Sequence, residues 1–202
     1  MVTTAAIHEH QLATPGRGWK RVVVVASTGG IQALIGLVSG LNDEWDLPIS
    51  VVLHRKASAR TPDALVKILE HYTNVDVCVA VQGAPACQPG ITVMPGHTMV
   101  AIDARGCWTF GNVEWNNRPG DRLLESSAAL GPTIAVILTG PLSDGSQGCR
   151  AVKLRGGLVI VQDPQEARAP EMPTHAIATG CADAVLPTRD IGAMLSLLTG
   201  AR

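Results

Sequence analysis

The chain has 202 residues, 46% hydrophobic and 16% charged, with a formal net charge of -1. Such a length and balance exclude a disordered chain and suit one large domain or two small ones, with a single core as one expectation. It also argues against a broad nucleic-acid surface, and no apolar run approaches a membrane span, so neither nucleic acid nor direct membrane insertion is expected.

With four Trp, one Tyr and one Phe, the core must be built from Val, Ile, Leu and Ala. The five cysteines form no CxxC pair and are odd in number, so the expectation is buried thiols in a reducing cytoplasm. No histidine pair has HxxxH spacing, and neither a metal nor a cofactor is expected.

Residues 1–19 are polar, carry Pro15, Gly16 and Gly18 and lack a signal-peptide core. They read as a loose arm before a catalytic-type domain over 20–202. Candidate strands follow at Arg21–Ala26, Pro48–His54, Val75–Ala80, Thr133–Thr139, Leu158–Gln162 and Asp183–Pro187. Runs without polar alternation suit strands covered on both faces, as in a parallel sheet. Helices are predicted over Ile31–Leu41, Thr61–Tyr72, Asp121–Leu130 and Ile191–Gly200. The second is expected to be capped by Thr61 with Pro62 at its first position. Cys87–Trp115 holds three short strand-like runs around Pro-Gly and Arg-Gly turns, and reads as an antiparallel hairpin extension of the sheet. Strand–helix alternation predicts an α/β, doubly wound, mostly parallel, Rossmann-like fold.

Ligands of open α/β sheets gather beyond the carboxyl ends of the strands. There the chain places Ser27 and Thr28 after the first strand, His54 after the second and Asp144 after Thr133–Thr139. These are the residue types of a nucleophile, its base and the group that orients the base. A serine hydroxyl needs a neighbour to take its proton, and imidazole does so near neutral pH. Gly29 and Gly30 leave the backbone beyond Ser27 bare, and a helix starting there points free N–H groups at a developing oxyanion. Other readings stay open: Ser27 and Thr28 as helix caps, a phosphate-binding turn, Asp144 as a turn residue. Of the remaining histidines, His97 is a candidate to line a cleft, and His175 falls on a possible helix near Met172-Pro173.

Five motifs then carry a resemblance: "ASTGG" (Ala26–Gly30), His54, "QPGITVMPGHTM" (Gln88–Met99), "ILTGPLSDGSQG" (Ile137–Gly148) and "EMPTHAIATGCAD" (Glu171–Asp183). The chain resembles the catalytic domain of the chemotaxis protein-glutamate methylesterases (CheB-type). The resemblance implies a cytoplasmic serine hydrolase with Ser27, His54 and Asp144 as its triad. It implies hydrolysis of γ-methyl esters of glutamates on methylated chemoreceptor helices, releasing methanol, and deamidation of receptor glutamines. Thr28, Gly29, Gly30 and Leu142 are the expected oxyanion and substrate residues.

Three departures from the family pattern bear on function. Only twenty residues precede Arg21, against ~100–150 for a typical domain, so no N-terminal receiver domain is expected within this sequence: either activity is unregulated, or a separate receiver-domain protein acts on it, or the sequence is a piece of a longer protein. His54 is followed by Arg55-Lys56 rather than methionine, and solvated surface charges are the expected reading. Pro141 stands where the family has a methionine whose N–H is a proposed oxyanion donor, and proline has no N–H. Thr28 or Leu142 must then supply that donor; the alternative is a catalytically weakened module that binds receptor or partner helices.

Overall fold

The first strand, β1 (Arg21–Ala26), is buried along its whole length, and its alternate residues feed two different cores. Val22, Val24 and Ala26 pack on one side of the sheet, Val23 and Val25 on the other. That explains the run of valines without polar alternation, since a strand covered on both faces has no solvent side. The computed structural model describes residues 18–56, 63–112 and 118–200. Apart from its last two residues, the expected N-terminal arm lies outside them.

The other elements, in chain order, are α1 (Gly30–Val38), β2 (Pro48–Leu53), α2 (Ala64–Glu70), β3 (Val77–Val79), β4 (Gly90–Val93), β5 (Thr98–Ile102), β6 (Trp108–Asn112), α3 (Pro119–Ala129), β7 (Thr133–Ile137), α4 (Ser146–Leu154), β8 (Leu158–Gln162), α5 (Glu171–Ala178), β9 (Ala184–Leu186) and α6 (Thr188–Thr199). Seven strands form one parallel sheet in the order β3-β4-β2-β1-β7-β8-β9. Helices α1, α2 and α6 cover one face through residues such as Leu34, Leu37, Leu69 and Ile191. Helices α3, α4 and α5 cover the other through Leu123, Leu124, Val152 and Met172. A fully buried leucine such as Leu34 or Leu123 contributes ~1.5–3 kcal/mol from apolar burial. The α/β doubly wound expectation holds.

Two expectations are corrected. Cys87–Trp115 does not form a single hairpin extension. β4 joins the main sheet between β3 and β2, while only β5 and β6 pair antiparallel, in a separate two-stranded sheet packed on the α3 side. A four-residue apolar run between glycine and proline carries no signal of its pairing direction, so the neighbouring turns misassign it. Second, α2 begins at Ala64 with Asp63 as N-cap, its Oδ1 accepting the Leu65 N–H at 2.9 Å. Thr61 and Pro62 lie outside the described residues. Of the cysteines, Cys149 is buried, whereas Cys78 and Cys87 are exposed. Among the described residues no helix is long and apolar enough to cross a membrane.

Candidate active site

The sheet register brings three strand ends together. Ala26 pairs with Leu53 and Val25 with Ile137, so the residues just beyond β1, β2 and β7 emerge side by side. The backbone continues the pairing: His54 N–H donates to Ala26 O at 3.0 Å and Ser27 N–H to Thr139 O at 2.9 Å. Thr139 is itself buried and held by Gln162, whose Oε1 accepts the Thr139 N–H at 2.8 Å. Its hydroxyl lies 2.9 Å from Thr28 O, so one residue of the next strand end steadies both Ser27 and Thr28.

Beyond Ser27 the chain turns sharply into α1. The N-cap is Gly29, at φ +82°, with no side-chain cap bond. Neither the Ser27 nor the Thr28 hydroxyl therefore caps the helix, which removes that reading. A left-handed φ favours glycine, and a Cβ at Gly29 would also lie 2.7 Å from Arg168 Cβ. Ser27 is half-buried, and its hydroxyl has no hydrogen-bond partner among the described residues. The amides of Thr28 and Gly29 are likewise unpaired there, at the positive end of α1. Gly30 differs: its N–H donates to Ser27 O at 2.8 Å, so it closes the turn and has no amide left for a ligand.

His54 and Asp144 meet directly, with Nε2 2.7 Å from Asp144 Oδ2. An ionised carboxylate only accepts, so Nε2 carries the hydrogen and Nδ1 is the nitrogen left to take a proton. Asp144 is buried and also accepts from the N–H groups of Gly120 (2.8 Å), Asp121 (2.9 Å) and Gly145 (2.9 Å). Two of these donors lie at the N-terminus of α3, which places the carboxylate at the positive end of that helix. Gly120 and Asp121 are not among the site residues expected from the sequence. The Pro-Gly-Asp start of α3 is visible in the sequence, but nothing there says which acid it faces.

The structure thus joins His54 to Asp144 and sets Ser27 on the adjoining strand end, without a hydrogen bond between Ser27 and His54. The loop from β7 to α4 passes against Ser27 from the other side. A Cβ at Gly140 would lie 2.7 Å from Ser27 Cβ and 2.2 Å from Met172 Sδ, so only glycine fits. Pro141 and Leu142 follow, both exposed, with Leu142 at φ +69° and its amide unpaired among the described residues.

A cleft of about 190 Å³ opens beside His54, lined by Met94, Pro95, His97, Thr98 and Pro119 among others. His97 lines it, as anticipated. Arg55 does not float in solvent: its Nη2 lies 2.6 Å from Asp63 Oδ2, and both side chains are largely buried. The pair ties the end of β2 to the start of α2 and neutralises the cation, which corrects the expectation of a solvated Arg55. Under the site, burial holds the Asp121 carboxyl above its usual range, opposed by the Gly148 N–H bond and reinforced by the charge of Asp144. Burial likewise pushes the Cys149 thiol up to about 12, so it stays protonated.

Comparison with known proteins places this chain in a family. A family model described as CheB methylesterase matches residues 22–195. A relative from Leptospira interrogans serovar copenhageni, called a putative protein-glutamate methylesterase/protein-glutamine glutaminase, is 32% identical over 178 residues, 86% of this chain and 91% of the relative. The protein-glutamate methylesterase/protein-glutamine glutaminase of Nocardioides sp. is 34% identical over 204 residues, 94% of this chain but 53% of the relative. The chain thus spans nearly all of one relative and about half of the other. The crystal structure of the Thermotoga maritima CheB methylesterase catalytic domain matches with a TM-score of 0.81 at 30% identity, covering 91% of this chain and 99% of that one. By family model, by identity over matched length and by fold, the chain belongs to the CheB methylesterase family of enzymes.

Proposed function

We propose that this chain is a cytoplasmic serine esterase that hydrolyses γ-methyl esters of glutamates on the helices of methylated chemoreceptors, releasing methanol, and deamidates receptor glutamines by the same route. The observation that carries the reading is the His54–Asp144 bond at 2.7 Å beside a serine on the adjoining strand end. Ser27 Oγ attacks the ester carbonyl, and its proton passes to His54 Nδ1. Asp144 fixes the ring through Nε2 and stabilises the imidazolium that forms. The unpaired amides of Thr28, Gly29 and Leu142 are the donors offered to the tetrahedral oxyanion. Gly30 contributes the turn. Collapse breaks the C–O bond to the methoxy group, His54 returns the proton, and methanol leaves. The glutamyl ester on Ser27 is then hydrolysed by water, activated by the same imidazole. With a glutamine the leaving group is ammonia.

Methanol release from methylated receptor membranes tests this directly. Wild type should turn over and Ser27→Ala should not; equal rates would sink the assignment. A second reading is favoured by Pro141, which has no N–H to give: a module that binds receptor helices, with a separate receiver-domain partner, without turnover. Retained receptor binding with no methanol from wild type would support it.

A further inference from the structure

The turn at Pro141-Leu142 is costly on its face. Leu142 sits at φ +69°, where residues other than glycine are disfavoured, and the residue is 78% exposed, so core packing does not hold it there. What does hold it comes from α5. His175 Nδ1 lies 2.8 Å from Leu142 O and 2.8 Å from Glu171 O. Carbonyl oxygens only accept, so Nδ1 must carry the hydrogen and shares it between the two. The bond to Glu171, one turn back on the same helix, fixes the ring, and the same N–H reaches across to the loop.

The loop is anchored at its other end too. Met172 N–H donates to Gly140 O, and Gly140 N–H to Ala169 O, both at 2.9 Å. The peptide joining Pro141 to Leu142 therefore lies between two carbonyls held by α5, and the proline ring fixes φ at Pro141. Its N–H has little freedom of direction. That amide has no partner among the described residues, two positions along from Gly140, which packs on Ser27.

We infer that His175 is a positioning residue of the oxyanion site: by holding the Leu142 carbonyl it keeps the turn left-handed and aims the Leu142 amide, the donor that stands in for the one Pro141 lacks. The inference rests on the serine esterase reading above. It explains why a histidine on an exposed helix face spends its N–H on a loop across the site.

The test compares wild type, His175→Ala and His175→Asn by methanol release from methylated receptor, by the rate at which a fluorophosphonate modifies Ser27, and by thermal midpoint. Asparagine can set an amide N–H near the place of Nδ1–H. His175→Ala should lower kcat and the modification rate about tenfold or more, part of the ~10²–10³ that a lost oxyanion donor costs, with KM within about twofold. His175→Asn should recover most of it, at an unchanged midpoint in both variants. Equal modification rates in wild type and His175→Ala overturn the inference and leave the esterase reading standing. Equal losses in Ala and Asn, with a lowered midpoint, overturn it as well, since they mark a structural role. Absence of both methanol and Ser27 modification in wild type overturns the two together.

Discussion

The two sides of the site differ in how much is bonded before any substrate arrives. On one side Asp144 is buried and accepts from His54 and three backbone amides. On the other, the Ser27 hydroxyl and the amides of Thr28, Gly29 and Leu142 have no partners among the described residues. Buried polar groups must be paired or they cost stability, whereas groups meant for a ligand must stay free. The charged side is set by the fold, and the open side is where the substrate supplies what is missing.

That contrast can be broken first at Asp144. In Asp144→Asn the side-chain NH₂ competes for places that demand an acceptor, so His54 loses its orientation and a backbone donor loses its partner. A fall in kcat of about 10⁴-fold is expected for the wrong tautomer, with a loss of ~1–3 kcal/mol in denaturant unfolding for the unmet donor. A rate within tenfold of wild type would mean that the bonded side is not where the rate is set. Gly140→Ala presses on the open side instead. The added methyl meets Met172 Sδ, which can shift, and Ser27 Cβ, which cannot without moving the nucleophile. Overpacking of ~1–3 kcal/mol and about a hundredfold loss of rate from displacement of the serine are the expected readings. Normal kinetics would show that Ser27 tolerates the shift.

The smallest effect lies beneath the bonded side. Asp121 has its native pKa raised, first by burial and then by Asp144, against the Gly148 bond. Its contribution to stability is fully present below the unfolded value of about 3.9, and is lost as pH rises through the native value. Urea unfolding of wild type relative to Asp121→Asn should show that difference declining as pH rises above about 4 and then levelling. A difference that grows with pH would contradict the assignment.

Much of the bonded side was legible in the sequence. "RVVVVA" matches β1 because uninterrupted β-branched residues suit a doubly covered strand, and Leu158–Gln162 matches β8 to the residue. His54 and Asp144 could be paired because both follow strands whose carboxyl ends share one edge. The donors to Asp144 were not legible, since backbone amides carry no residue code. Helix α4 escaped prediction because Ser146, Gln147 and Gly148 make its first turn look like a loop. Helix α5 stayed uncertain because Pro173 interrupts its pattern, although at the third helical position its missing N–H is among those that lack an intrahelical partner anyway. The open side was the harder half. Pro141 advertises a missing donor, but the left-handed Leu142 and its bond to His175, thirty-three residues away, exist only in the folded chain.

The most direct measurement of the central claim is the site of covalent modification by a fluorophosphonate, read by intact mass and peptide mapping. The account predicts one adduct per chain, on the peptide that contains Ser27, formed much more slowly in His54→Ala. An unmodified chain that still releases methanol, or an adduct elsewhere that abolishes release, would contradict it.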